Sequence, residues 1–310
     1  MKTLITGVAG FLGSALAQKL IEDGHEVLGL DDLSTGKEEA IPAGVQFELG
    51  DMLDRPKLWT LLQDVECVYH LAAKVAVQES ILYPREYNST NVGGTVSVME
   101  AMRDVGVKRV VFTSSGAVYG SQKAQPLHEM MVTSPDSPYA VSKLSAEYYV
   151  KTIGKLWGIE TVTLRIFNAF GPGQRLPADH PPVIPNFLKQ AVKGGSLIIH
   201  NSGSQTRDFV YVDDVVTALI KAGKAKKVDG KTINIGSGKE HSVLDLVKKV
   251  IELTGVKTEF INNHKAKGGV SRMRADITQA EKLLAYQPKY SLEDGLIKTL
   301  ELDPRFQVKK

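Results

Sequence analysis

Short apolar, strand-like runs recur at Lys2 to Thr6, Glu26 to Leu30, Val45 to Leu49, Cys67 to Leu71, Arg109 to Thr113 and Thr161 to Arg165. Between them, Phe11 to Asp23, Asn91 to Val105 and Pro138 to Leu156 carry apolar residues at helical spacing, and Gly24, Gly106 and Gly158 close these segments as C-terminal caps. Strands that alternate with helices return through crossovers, so the pattern predicts an α/β fold with a doubly wound parallel (Rossmann) sheet. After Arg165 the alternation loosens into a Pro- and Gly-rich stretch, Gly171 to Pro185. A helix pattern follows at Ile184 to Lys193, then helices at Val215 to Lys221, Val243 to Leu253 and Thr278 to Leu284, with one further strand pattern at Thr232 to Ile235. This predicts a smaller, loop-rich C-terminal substrate lobe. Residues 1–167 plus about 205–235 are expected to form the dinucleotide-binding domain, and about 168–204 plus 236–310 the second lobe.

Composition narrows the class. The 310 residues are 43% hydrophobic with a formal net charge of +3, which describes a globular chain and gives no electrostatic case for nucleic acid. The basic clusters at Lys224 to Lys227 and Lys309-Lys310 read as solvated surface. Cys67 is the one cysteine and falls inside an apolar run, so a disulfide framework is excluded and a buried, inert thiol in a reducing compartment is expected. The chain begins directly with a strand, and no apolar run approaches the roughly 20 residues that span a bilayer. A cytoplasmic protein without membrane partners is the expectation.

The chemistry starts at Gly7-Val8-Ala9-Gly10-Phe11-Leu12-Gly13, which follows the first strand and opens a helix. Glycines there permit a tight turn and let backbone N–H groups approach a pyrophosphate at the helix N-terminus. The spacing is G-x-x-G-x-x-G, weak by itself. Asp31-Asp32, at the end of the second strand, strengthens it, because a carboxylate there accepts hydrogen bonds from an adenosine ribose and disfavours a 2′-phosphate, selecting NAD over NADP. Asp51, after the third strand, is either a further ligand or a helix N-cap. Farther on, Tyr139 and Lys143 stand four apart in a helical stretch. On one helix face an ammonium can sit beside the phenol, favour its ionised form and make it usable as a base.

Together the glycine turn, Asp31, Thr113-Ser114-Ser115 and Tyr139-x-x-x-Lys143 resemble the extended short-chain dehydrogenase/reductase family, in particular its nucleotide-sugar epimerases. Family-like segments run over nearly the whole chain: His70-Leu71-Ala72-Ala73, Asn91 to Thr95, Phe112 to Gly120, Ser137 to Lys143, Arg165 to Asn168 and Gln205 to Asp214. The resemblance implies an NAD-dependent 4-epimerase for a UDP-sugar of the UDP-glucose/UDP-galactose type. The alternatives are an epimerase for UDP-N-acetylhexosamine or UDP-glucuronate, or a sugar-nucleotide oxidoreductase with net turnover. It implies Tyr139 as the base, Ser115 on the same substrate oxygen and Lys143 on the nicotinamide ribose. The implied cofactor pocket comprises Gly7, Gly10, Phe11, Leu12, Gly13, Asp31, Asp32, Ser34, Thr35, Gly36, Asp51, Met52, Leu71, Ala72, Ala73, Asn91, Tyr139, Lys143 and Phe167. A homodimer through the helices Asn91 to Val105 and Pro138 to Leu156 is also implied. Thr113 and Ser114 are read as bonding backbone.

After Ser115 the chain has Gly116-Ala117, where related dehydratases and decarboxylases carry an acid; this favours hydride removal and return without a further proton step. Glu129 is read as a loop-fixing or surface carboxylate, not a substitute acid. On the substrate side, Arg207 resembles the arginine that grips a diphosphate. Asn168, Val183, Ile199, His200 and Arg272 fall where relatives meet substrate, with Ser115 and Tyr139. Asp213-Asp214 reads as an N-cap and helix-dipole partner and not as a metal site, so no metal is expected. The segment Lys265 to Arg272 lacks the acid of the family's Arg-x-Gly-Asp pattern, and Asn201-Ser202-Gly203 replaces its Gly-Asp-Gly. Met273 lies in the same divergent region, so sugar selectivity is not read from it.

Overall fold

The computed structural model describes residues 1–200, 202–255, 260–263 and 270–307. In chain order the first half runs β1 (Lys2–Thr6), α1 (Phe11–Glu22), β2 (Glu26–Asp31), β3 (Gln46–Leu49), α2 (Arg55–Leu61), β4 (Cys67–His70), α3 (Val77–Leu82), α4 (Pro84–Asn88), a π turn (Ser89–Gly93) leading into α5 (Gly94–Val105), β5 (Arg109–Ser115), α6 (Pro138–Trp157) and β6 (Glu160–Ile166). The second half runs β7 (Asn168–Phe170), α7 (Val183–Val192), β8 (Leu197–His200), β9 (Thr206–Arg207), β10 (Phe209–Tyr211), α8 (Val212–Lys224), β11 (Lys231–Ile235), β12 (His241–Ser242), α9 (Val243–Thr254), β13 (Phe260–Asn263), α10 (Thr278–Leu284) and α11 (Leu292–Leu302).

Seven parallel strands form the central sheet in the order β11-β6-β5-β4-β1-β2-β3. The chain leaves β1 in one direction toward β2 and β3, then returns to β4 on the other side. That reversal makes a crevice at the carboxyl ends of β1 and β4, where ligands of doubly wound sheets bind. One core packs α1 and α8 on one face, through Leu16, Leu20, Val215 and Leu219. A second core packs α2, α5 and α6 on the other, through Leu58, Met99, Val150 and Ile153. Three two-stranded pairings, β10-β7, β12-β9 and β13-β8, lie outside the main sheet.

Local chemistry sets the elements that matter for the site. Ser137 accepts from Ala140 N at 3.2 Å and Pro138 occupies the first turn, a strong start signal for α6. Gly158, at φ +67°, ends it in a left-handed cap. The short α2, α3 and α4 and the terminal α11 carried no clear period and are not among the expected elements; α2 is started by the Asp54 N-cap and α11 by a Ser291/Asp294 capping box.

Two cap assignments are corrected. Asp54, not Asp51, caps α2, accepting from Lys57 N at 3.1 Å. The helix expected from Val215 begins at Val212 with Tyr211 as N-cap, so Asp213-Asp214 fall in its first turn. Asp214 is buried there and accepts from Lys289 N and Tyr290 N, tying down the loop before α11. Among the described residues no helix is long and apolar enough to cross a membrane. Cys67 is buried in β4, and burial pushes its thiol up to about 12.

Gly13 is where α1 touches the turn that precedes it. A Cβ at this position would lie 2.0 Å from Gly7 O. Gly13→Ala should therefore force the helix off the turn and lower Tm by roughly 5 °C or more. Thermal unfolding followed by circular dichroism checks this, and an unchanged Tm would show that the contact carries no constraint.

Candidate active site

The turn after β1 is bare backbone. Gly7 sits at φ +78°, where L side chains are strained, and a Cβ there would meet Ala72 N at 2.8 Å. Gly10 caps α1 with no side chain, and Phe11 and Leu12 lean half-buried onto the first core. Asp31, 8% exposed, holds the turn from the side: Oδ2 accepts from Ala9 N at 3.0 Å and Oδ1 from Leu33 N at 2.9 Å. Burial raises its carboxyl above the usual range, against those two N–H bonds. Asp32 is exposed and accepts from Ser34 N at 2.9 Å and Ser34 Oγ at 2.7 Å. Thr35 is exposed beside it, and Gly36 packs on Ala9, where a Cβ would lie 2.6 Å from Ala9 Cβ. The result is a cradle that glycines keep open at the β1/β4 crevice, with acids at the end of β2. Those residues fit a dinucleotide. Asp51 is exposed and accepts from Leu53 N at 2.9 Å. The Met52 side chain is buried in the second core, and a Cβ on Gly94 would meet Met52 Cε at 2.7 Å.

On the β5 side of the crevice, Tyr139 and Lys143 lie on α6, 9% and 3% exposed. Burial raises the Tyr139 phenol above its ordinary pKa, and Ser115 at the end of β5 opposes the rise. Burial lowers Lys143 to about 8, against the attraction of Glu147. The Lys143 ammonium lies 4.7 Å over the Phe112 ring, and burial disfavours the charged form of both groups at once. Ser80 on α3, fully buried, accepts from Tyr139 N at 3.1 Å, while Tyr87 on α4 stands edge-on to the phenol at 6.5 Å.

Asn91 occupies the π turn and is 1% exposed. Its Oδ1 accepts from Lys74 N at 2.8 Å, and its Nδ2 donates to Lys74 O and to Ser142 Oγ, both at 2.9 Å. This clamps the segment after Leu71, Ala72 and Ala73 against α6. Beside it, Thr95 Oγ1 donates to Asn91 O at 2.6 Å, so His70 Nε2 must donate to Thr95 Oγ1 at 2.9 Å. His70 Nδ1 then accepts from Thr6 Oγ1 at 2.7 Å, which in turn accepts from Ala72 N at 3.3 Å. A single neutral tautomer satisfies the chain, and burial followed by the charge of Lys143 pushes His70 down to about 3. Thr113 donates to His70 O at 3.2 Å, a backbone bond as expected, but Ser114 Oγ is buried with no hydrogen-bond partner among the described residues.

Gly116 follows Ser115 directly beneath Phe167. A Cβ on Gly116 would lie 3.3 Å from that ring, so a carboxylate there could be accommodated only if the phenylalanine moved. Glu129 is occupied elsewhere, accepting from Asn234 N at 2.8 Å and Gln279 Nε2 at 2.9 Å, which makes it the loop-fixing carboxylate expected.

Farther along the crevice, Asn168 Oδ1 is buried without a partner among the described residues, and Val183 opens α7, half-buried. Arg207 is half-buried in β9 and donates to Thr206 O at 2.7 Å; burial alone lowers its pKa, and no carboxylate pairs with it among the described residues. Its neighbour Asp208, fully buried, accepts from Ser237 N, Gly238 N and Ala275 N and so pins two loops around it.

Ile199 is fully buried in the first core, since β8 turns Leu197 and Ile199 inward and leaves Ile198 exposed. Arg272 is exposed and pairs with Glu240. The side chain of His200, Asn201, and the divergent stretch from Lys265 to Gly269 lie outside the described residues, as do Lys309 and Lys310. Ser80, His70, Ser142 and Glu147 were missed as site neighbours by motif reading. Glu147 had a signal, since it extends the four-residue ladder Tyr139, Lys143, Glu147 along one helix face.

Residues 3–236 match the NAD dependent epimerase/dehydratase family. The chain is 37% identical over 308 residues to a UDP-glucose 4-epimerase of Mycolicibacterium smegmatis, covering 97% of this chain and 98% of the relative. A crystal structure of UDP-glucose 4-epimerase with UDP-glucose from Thermotoga maritima superposes with a TM-score of 0.93 at 35% identity, over 97% of this chain and 98% of that one. A Thermus thermophilus UDP-glucose 4-epimerase complex with NAD is similar at a TM-score of 0.89 and 29% identity, over 97% and 98% of the two chains.

His70 gives a pH test of the buried chain. Its folded pKa lies near 3, below the ordinary value of about 6.5, so the unfolded chain takes up a proton that the folded one refuses. Stability from this group is therefore lost as pH falls below about 6.5. Between pH 7 and pH 5 the native protein should lose about 2 kcal/mol more than His70→Gln. Urea unfolding at both pH values checks this; equal losses would show that His70 is not held neutral.

Proposed function

As this chain belongs to the NAD dependent epimerase/dehydratase family, we propose that it catalyses the NAD-dependent 4-epimerisation of a UDP-sugar of the glucose/galactose type. The observation that carries this reading is buried Tyr139 of α6 with half-buried Ser115 at the carboxyl end of β5, followed by Gly116-Ala117 in place of an acid. A site with one base and no further acid is suited to removing and restoring one hydrogen, and not to eliminating water or carbon dioxide.

When bound, NAD supplies the acceptor for the carbon-4 hydride and the donor that returns it to the other face of the keto sugar, so net redox change is zero. The backbone at Gly7, Gly10 and Gly13 would hold its pyrophosphate, Asp31 and Asp32 the adenosine ribose, and Asn91, Lys143 and Phe167 the nicotinamide end. Tyr139, as the phenolate, takes the proton of the 4-hydroxyl. Ser115 donates to the same sugar oxygen. Lys143 stabilises the phenolate while it carries its proton, and that support is lost as pH rises through about 8. Arg207, half-buried and paired with no carboxylate among the described residues, meets the diphosphate through its planar fork. Asn168 supplies an acceptor that is otherwise unsatisfied.

The same reading divides the molecule into a cofactor domain, residues 1–167 plus about 205–235, and a substrate lobe formed by the rest. It also makes the protein a cytoplasmic homodimer through α5 and α6. Support for the dimer comes from Val141, Tyr148, Tyr149 and Leu156 of α6, which are left 48–73% exposed. A lone buried cysteine is consistent with a reducing compartment.

The purified protein, given UDP-glucose, UDP-N-acetylglucosamine or UDP-glucuronate without added cofactor, should convert UDP-glucose to its 4-epimer, resolved by proton NMR. Turnover only with stoichiometric NAD or NADH, and a matching absorbance change, would assign a net oxidoreductase instead. Tyr139→Phe should lose on the order of 10²–10⁴ in kcat while retaining NAD; preserved turnover would remove the base assignment. Arg207→Ala should raise KM for the UDP-sugar roughly 10- to 100-fold with NAD affinity unchanged. Equal losses of both affinities would undo its placement.

A further inference from the structure

The helix that carries Tyr139 and Lys143 places a third ionisable residue, Glu147, one turn beyond Lys143, and all three lie on one side of α6. Glu147 is buried with Arg165 of β6. Arg165 Nε donates to Glu147 Oε1 at 2.9 Å and Arg165 Nη2 to Oε2 at 2.7 Å, with both side chains 7% exposed. Such a two-point fork fixes the carboxylate in orientation as well as position.

Arg165 is itself held. It sits in β6 in register with Ser114 of β5 and Asn234 of β11, so it occupies the strand beside the one that ends in Ser115. Its guanidinium stacks 4.8 Å over Tyr119, whose hydroxyl donates to Asn234 Oδ1 at 2.8 Å. Asn234 Nδ2 donates in turn to Leu127 O at 2.8 Å. A carboxylate buried this deeply, beside a buried ammonium and outside the group that would touch substrate, is more than a structural link between a helix and a strand.

We propose that Glu147, held by Arg165, is a positioning residue that supplies the buried counter-charge for Lys143. The claim deepens the reading of Lys143 as the group supporting Tyr139 and rests on that reading for its catalytic consequence. Its electrostatic content stands by itself. Lys143 faces Tyr139 and Glu147 on its own helix, His70 from β4, and the Phe112 ring from β5. Arg165 comes from β6, and the Tyr87–Glu79 hydrogen bond lies at the α3/α4 side beyond Tyr139. His70 is neutral in its hydrogen-bond chain, and Glu79 is bonded to Tyr87. Glu147 is therefore the anion that acts on Lys143, and it favours the ammonium against burial.

The sign follows directly. Removing the carboxylate disfavours the charged lysine, so Lys143 should release its proton at lower pH. Removing Arg165 leaves Glu147 unneutralised, so Lys143 should hold its proton to higher pH. A role confined to packing would move both variants the same way or neither.

The test titrates Lys143 by NMR of the ¹³Cε signal in protein carrying labelled lysine, assigned by its disappearance in Lys143→Met. Glu147→Gln should lower the midpoint by about one pH unit and Arg165→Met should raise it. Each single variant strands a buried charge and should melt below the native protein. Glu147→Gln/Arg165→Met strands neither member of the pair, should fold better than either single change, and should still titrate below the native midpoint. In parallel, the alkaline fall in epimerisation of UDP-glucose should move to lower pH in Glu147→Gln by the same amount. An unmoved midpoint in Glu147→Gln and in the double variant, or shifts of one sign in both single variants, overturns the inference. If the native protein does not epimerise UDP-glucose, the proposed reaction fails, while the Lys143 midpoints decide the counter-charge.

Discussion

Parallel strands cannot be joined by tight turns, and most of this molecule follows from that constraint. Each strand of the central sheet must be followed by a crossover, so every strand-to-helix turn emerges at the same carboxyl edge. Six separate stretches of chain meet there: the Gly7 to Gly13 turn, Asp31-Asp32, Asp51, His70 to Lys74, Thr113 to Ala117 and Phe167-Asn168. They are scattered through the sequence from position 7 to position 168 and have no local reason to be neighbours. The reversal of strand order between β1 and β4 opens a space among them that neighbouring crossovers do not fill.

Assembling so many polar groups at one buried edge carries a desolvation cost, and the structure meets it with hydrogen bonds before any ligand is considered. Asp31 closes the first turn, Asn91 ties the fourth strand's exit to α6, and His70 bridges Thr6 and Thr95 as a neutral ring. Arg165 and Glu147 neutralise one another under the catalytic helix. Against that background the exceptions are informative. Ser114 Oγ and Asn168 Oδ1 remain buried without partners among the described residues, where half-buried Arg207 likewise pairs with no carboxylate.

The order of strands and long helices in the first half was legible because periodicity is strong where an element packs on one face of a sheet. Most strand and helix ends moved by one or two residues, as in β5, which runs to Ser115, while the helix expected from Asn91 starts three residues later at Gly94, after the π turn. The short helices Arg55–Leu61, Val77–Leu82 and Pro84–Asn88 were not legible. Each spans fewer than two full turns, too little for a period to rise above composition, and their ends are set by Asp54, Pro84 and contacts with α6. In the second half, two- and three-residue strands such as Thr206–Arg207 exist only through pairing with distant partners, which no local pattern announces. The site shows the same division. Motif residues were readable, whereas the burial of the Ile199 and Met52 side chains was not, because inward or outward orientation depends on the register of packing.

The sequence by itself determined the class of fold, the glycine turn, the acid after β2 and the tyrosine–lysine pair, since each is encoded within a few neighbouring residues by period or spacing. Tertiary structure alone decided the electrical state of that pair. Whether Lys143 keeps its proton depends on Phe112 beneath it, His70 beside it and Glu147 fixed by Arg165 from another strand. Charge–charge interaction and desolvation act through space, over distances that only the folded chain establishes.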